Sequence, residues 1–98
     1  MPHWKSRIDL SGFYRADIPI QDKAKRVARE LLRFVERQES LPPDRQLDYE
    51  TAEDLACDFQ CLSENPEATA DDFDVFMSDL YEWADFERVW INTIARNA

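Results

Sequence analysis

Trp4, Ser6, Ile8 and Leu10 alternate with Lys5, Arg7 and Asp9, the period-two pattern of a short half-buried strand or of an extended arm laid over a core. Ser11-Gly12 marks a turn, and Phe13-Tyr14 read as anchors for the segment leading to Pro19. After Pro19 the period changes. Ile20, Ala24, Val27, Ala28, Leu31, Leu32, Phe34 and Val35 follow helical spacing, so a helix is predicted from Gln21 or Asp22 to about Gln38. Its opposite face carries Lys25, Arg26, Arg29, Arg33 and Arg37, which makes the helix amphipathic with a basic outer side.

Leu41-Pro42-Pro43-Asp44 cannot continue that helix, because the prolines remove donors and push the preceding residue toward extended geometry. A second helix is predicted from Asp48 or Tyr49 to about Ser63, burying Tyr49, Ala52, Leu55, Ala56, Phe59 and Leu62. Asn65-Pro66 ends it. Thr69, with Asp72 three residues on, is expected to cap a third helix in a relative of the capping box. Asp71, Asp72 and Asp74 in its first turn complement the positive end of the helix dipole. The apolar face is Phe73, Phe76, Met77, Leu80, Tyr81 and Ala84, with Trp83 at the border.

From Asp85 onward the pattern supports two endings. Val89-Trp90-Ile91 is β-prone, and residues 88–93 can pair with residues 4–10 as a small two-stranded ribbon packed on the helices. Glu87, Ile91 and Ile94 equally suit continued helical spacing. The expected fold class is therefore mainly α, a compact three-helix domain spanning residues 1–98, with the terminal ribbon as one of its two endings.

Length and composition fit this picture. A chain of 98 residues supports one core, and six Phe, three Tyr and three Trp supply enough apolar bulk to fold despite 34% charged residues. No apolar run approaches the roughly 18 residues of a membrane span, and Met1-Pro2-His3-Trp4-Lys5 lacks the apolar core of a signal peptide. A cytoplasmic protein with reduced thiols and no membrane contact is expected. The single glycine, Gly12, excludes phosphate-cradling loops of the P-loop or dinucleotide type, so no cofactor is expected.

Charge changes the picture most. Residues 47–87 contain fourteen carboxylates and no Lys or Arg. Residues 1–46 hold ten cations against seven acids, a net of +3; residues 47–98 hold two against fourteen, a net of −12, and the sum is −9. Helical phase puts Asp71, Asp74, Glu82 and Asp85 on the outer side of the third helix, with Asp72 and Asp79 flanking them and Val75 and Phe86 on the same side. Like charges at these spacings destabilise a helix, a cost carried more readily when a partner neutralises them. Asp71, Asp74, Val75, Asp79, Glu82, Asp85 and Phe86 are accordingly the candidate partner-binding residues, and a basic protein surface is the expected partner. Direct nucleic-acid binding is not expected, because a −9 molecule repels phosphate. The alternative is a structural or self-associating protein, such as a homodimer in which the basic first helix of one subunit meets the acidic face of another.

Chemistry finds little footing. Cys57 and Cys61 share a helix face, but two thiols fall short of a zinc site and the only histidine, His3, is distant in sequence. The two thiols are expected either to lie beneath another element or to form an oligomer contact. The carboxylates are many and clustered, and nothing singles out an acid/base pair. No catalytic or metal-binding residue is assigned, and an enzyme is not expected.

Three stretches carry a resemblance: Trp4-x-x-x-Ile8-Asp9-Leu10, the run Phe73-Asp74-Val75-Phe76 continuing to Leu80-Tyr81-Glu82-Trp83-Ala84-Asp85, and Arg88-Val89-Trp90-Ile91. Together they resemble small acidic proteins encoded in phage and prophage genomes, most of them without assigned function. The resemblance implies an accessory protein that binds or blocks a host factor, in a group that includes inhibitors and nucleic-acid mimics. It carries over no catalytic residue.

Overall fold

The computed structural model describes residues 4–94. Pro19, with φ fixed near its helical value, precedes the first helix and accepts from the N–H groups of Asp22 and Lys23. In chain order the elements are β1 (Ser6–Asp9), α1 (Ile20–Glu39), a single 3-10 turn (Pro43–Arg45), α2 (Glu50–Ser63), α3 (Ala70–Glu87) and β2 (Val89–Asn92). The three predicted helices are present, and the two ends of the chain form a two-stranded sheet.

Between the two endings the sequence allowed, the strand is the one adopted. Arg88 takes the left-handed conformation, φ 60° and ψ 48°, and its N–H turns back to the carbonyls of Ala84 and Asp85. The chain thereby leaves the helix, and Val89 and Ile91, two residues apart, both reach the core. The strands pair in parallel, Ser6 with Val89, Ile8 with Ile91 and Asp9 with Asn92. Parallel strands need a long crossover. Here all three helices supply it.

Backbone bonds extend the pairing at both ends, from Lys5 N–H to Arg88 O at 2.7 Å and from Leu10 N–H to Asn92 O at 2.8 Å. Ile8 and Leu10 are buried as the alternation predicts, whereas Trp4, lying before the first paired residue, is exposed. Phe13 is buried and Tyr14 packs on Phe73 with ring centroids 6.3 Å apart, so both act as the expected anchors.

One hydrophobic cluster joins both strands and all three helices. α1 packs most extensively on α2, and α3 lies on α2 and β2 with a smaller contact to α1. Phe59 of α2 meets Phe73 and Phe76 of α3, each at 5.8 Å and steeply inclined. Gln38 is the buried polar residue of the core. Its side-chain oxygen accepts the Leu47 N–H at 2.9 Å and ties the linker after α1 to that helix.

Three positions depart from the expected faces. Leu32 is 48% exposed on the basic side of α1, because it falls one residue, or 100°, past the buried Leu31. Trp83 and Tyr81 exchange roles: Trp83 is 8% exposed and Tyr81 37%. The two stand on opposite borders of the α3 stripe, and the Trp83 ring is the one that meets Phe34 of α1, edge-to-face at 5.3 Å.

Candidate partner-binding face

α3 begins with a complete capping box. The Thr69 hydroxyl accepts the Asp72 N–H at 3.2 Å, and the Asp72 carboxylate accepts the Thr69 N–H at 3.0 Å. Asp72 is therefore committed to starting the helix. Asp71, Asp74, Asp79, Glu82 and Asp85 are left pointing into solvent on the same helix, all exposed. Val75, 60% exposed, and Phe86, 85% exposed, stand among them.

The seven predicted residues divide into two groups. Asp71, Asp74 and Val75 occupy the N-terminal half of α3. Burial raises the Tyr14 phenol above its ordinary value, and the neighbouring Tyr81 and the Asp74 charge push in the same direction. Asp79, Glu82, Asp85 and Phe86 occupy the C-terminal half, where they line a shallow, open groove of about 750 Å³ together with Asp48, Thr51 and Trp83.

Asp48 and Thr51 hold one wall of that groove in place. One oxygen of Asp48 accepts from the N–H groups of Glu50 and Thr51 at 3.1 and 3.3 Å, and the other accepts from the Thr51 hydroxyl at 2.8 Å. These bonds satisfy two N–H groups at the start of α2, whose N-cap residue is Tyr49. Trp83 is the buried member of the lining, and its indole Nε1 has no hydrogen-bond partner. Asp48, Thr51 and Trp83 were not among the expected partner-binding residues. Asp48 could have been read from its place at the start of the second helix, but nothing along the chain shows that α2 begins beside the end of α3.

Among the described residues a single ion pair forms within 4.0 Å, Arg33 with Glu30 at 3.0 Å. The acidic face of α3 is thus not neutralised by the described cations of its own chain. On α1, Arg37 donates to the carbonyl of Arg7 at 2.8 Å, and the Arg26 guanidinium lies 5.9 Å from the Phe13 ring centre. A second cleft of about 420 Å³ runs beside Lys25, Arg26, Arg29 and Arg33, with Asp22 and Glu30 in its lining.

Cys57 and Cys61 are both free and exposed, so no other described element covers them. Among the described residues no group of three or more His, Cys, Asp or Glu side chains is arranged to hold a metal ion. His3 lies outside the described residues. No described helix is long and apolar enough to cross a membrane. Comparison with protein families, with curated proteins and with solved structures finds no match.

Proposed function

We propose that this chain is a small acidic interaction module, an accessory or inhibitor of the phage type, that acts in the cytoplasm. It docks the outer face of α3 on a basic surface of a host protein, such as one that binds nucleic acid. The observation carrying this reading is the row Asp71, Asp74, Asp79, Glu82 and Asp85, exposed on one helix with no cation of the described chain within ion-pair distance. Such a row steers a basic partner and competes for the surface that a phosphate backbone would use. In this reading the protein performs no catalysis, needs no cofactor and makes no direct contact with nucleic acid.

The test is affinity capture from host lysate at low and high salt, in parallel with the triple variant D79N/E82Q/D85N. Basic proteins retained by the native chain at low salt should be lost both at high salt and with the variant. Equal retention by the two proteins, or none by the native chain, sinks the reading.

A second reading, self-association, is favoured by Leu32. This exposed leucine stands among Lys25, Arg29 and Arg33 on α1, an apolar and basic counterpart to the acidic surroundings of Phe86. Sedimentation across a salt series distinguishes the two, since a charge-held homodimer dissociates as ionic strength rises.

A further inference from the structure

Flat charge complementarity would require only carboxylates, yet the C-terminal half of α3 offers a groove with an aromatic side chain standing in it. We propose that this groove, between the end of α3 and the start of α2, receives a basic amphipathic helix of a partner protein. An apolar side chain of that helix lies on Phe86 and Trp83 while its Lys and Arg residues meet Asp79, Glu82 and Asp85. The inference rests on the interaction function proposed above and names the class of partner.

Four observations carry it. Phe86 is 85% exposed, and a phenylalanine left in water among carboxylates is the kind of side chain that anchors an interface once covered. Asp79, Glu82 and Asp85 recur every three residues, so the carboxylates rise about 4.5 Å at a time along the helix. Cations at i, i+3 and i+4 on a second helix lying alongside recur at a similar interval. The last turn of α3 contains no basic residue, and Arg88 at its C-cap forms no ion pair with the three carboxylates, so their charges stand unpaired at the negative end of the helix. Finally, Trp83 lines the groove together with Phe86, so an apolar side chain of the occupant meets two aromatic rings and not one. Asp71 and Asp74, at the other end of α3, line no part of this groove and supply charge alone.

The probe is a synthetic helix of about 18 residues, roughly five turns, built from Lys and Leu with the leucines on one face. A peptide of the same composition with the leucines scattered serves as the comparison. Binding is followed by calorimetry and by the indole N–H signal of Trp83, using the native chain, Phe86→Ser and the double variant D71N/D74N. Because Phe86 packs on little of its own protein, its serine variant should keep the native circular dichroism spectrum. The native chain is expected to prefer the amphipathic peptide by about tenfold. The preference should vanish in Phe86→Ser and persist in D71N/D74N. Equal, salt-sensitive binding of the two peptides by the native chain overturns the groove proposal and leaves the wider acidic-module reading standing, as does a preference that survives in Phe86→Ser. Binding of neither peptide at low salt overturns both.

Discussion

Trp83 and Phe86 sit three residues apart on α3 and line one groove, yet Trp83 is sealed against Phe34 while Phe86 stands in solvent. The pair sets a core ring and a solvent-exposed ring within a single turn of helix. Trp83→Ala should cost about 3–5 kcal/mol, as for other large core truncations. Trp83→Phe removes the unpartnered donor together with part of the ring, so its cost should be well below that. Phe86→Ala should stay within about 0.5 kcal/mol of the native chain. Urea unfolding monitored by circular dichroism measures all three, and a large loss in Phe86→Ala would show that the side chain is structural.

Arg88 is the described non-glycine residue with positive φ, at the point where α3 gives way to β2. A side chain in this left-handed conformation crowds its own carbonyl, and glycine avoids that conflict. Arg88→Gly should therefore raise stability by about 1 kcal/mol, or about 4–8 °C in thermal midpoint for a domain of this size. Arg88→Val, branched at Cβ, should lower it. Scanning calorimetry of the two variants tests the sign.

The residues that decide local structure were legible along the chain. Thr69 and Asp72 announced the capping box, Pro19 the start of α1, and the helical spacing of Val27, Leu31, Phe34 and Val35 a face that is buried as expected. What stayed open depended on contacts between distant elements. Trp83 and Tyr81 border the same stripe from opposite sides, and the Trp83 ring is the one that meets Phe34 of α1. Val89 is β-prone and Ile91 suits a strand or a helix until Arg88 turns the chain toward Ser6 and Ile8. The candidate face was legible as charge, because helical phase alone groups Asp79, Glu82, Asp85 and Phe86. Its concavity was not, since Asp48 and Thr51 reach it from another helix.

Gln38 supplies the side-chain acceptor for the Leu47 N–H. Gln38→Leu fills similar space but leaves that backbone donor without its partner, and an orphaned donor at such a site costs about 1–3 kcal/mol. Loss of stability should come with faster hydrogen exchange at Leu47. If the exchange rate does not change, the bond does not hold the linker.

Tyr14 contributes one alkaline dependence. Its phenol is raised above the ordinary value of 10.0, first by burial and then by Tyr81 and Asp74. Between the unfolded value and the higher folded one, the unfolded chain has released a proton that the folded chain retains. Stability tied to this group is thus fully present below pH 10.0 and is lost as pH rises through the folded value. Tyr14→Phe should flatten the decline above that pH, as followed by urea titrations at stepped alkaline pH.

Asp79, Glu82 and Asp85 are neighbours on the surface of α3, and among the described residues none has a cation within ion-pair distance. Like charges at this spacing repel, and salt screens the repulsion. The urea midpoint of the native chain should therefore rise between about 0.02 M and about 0.5 M NaCl. The triple variant D79N/E82Q/D85N should start higher at low salt and respond less. Its loss of binding would then accompany a gain in stability, a combination that a damaged fold cannot produce. Were the variant less stable than the native chain, the three carboxylates would be supporting the helix, and their exposure would no longer argue for a partner.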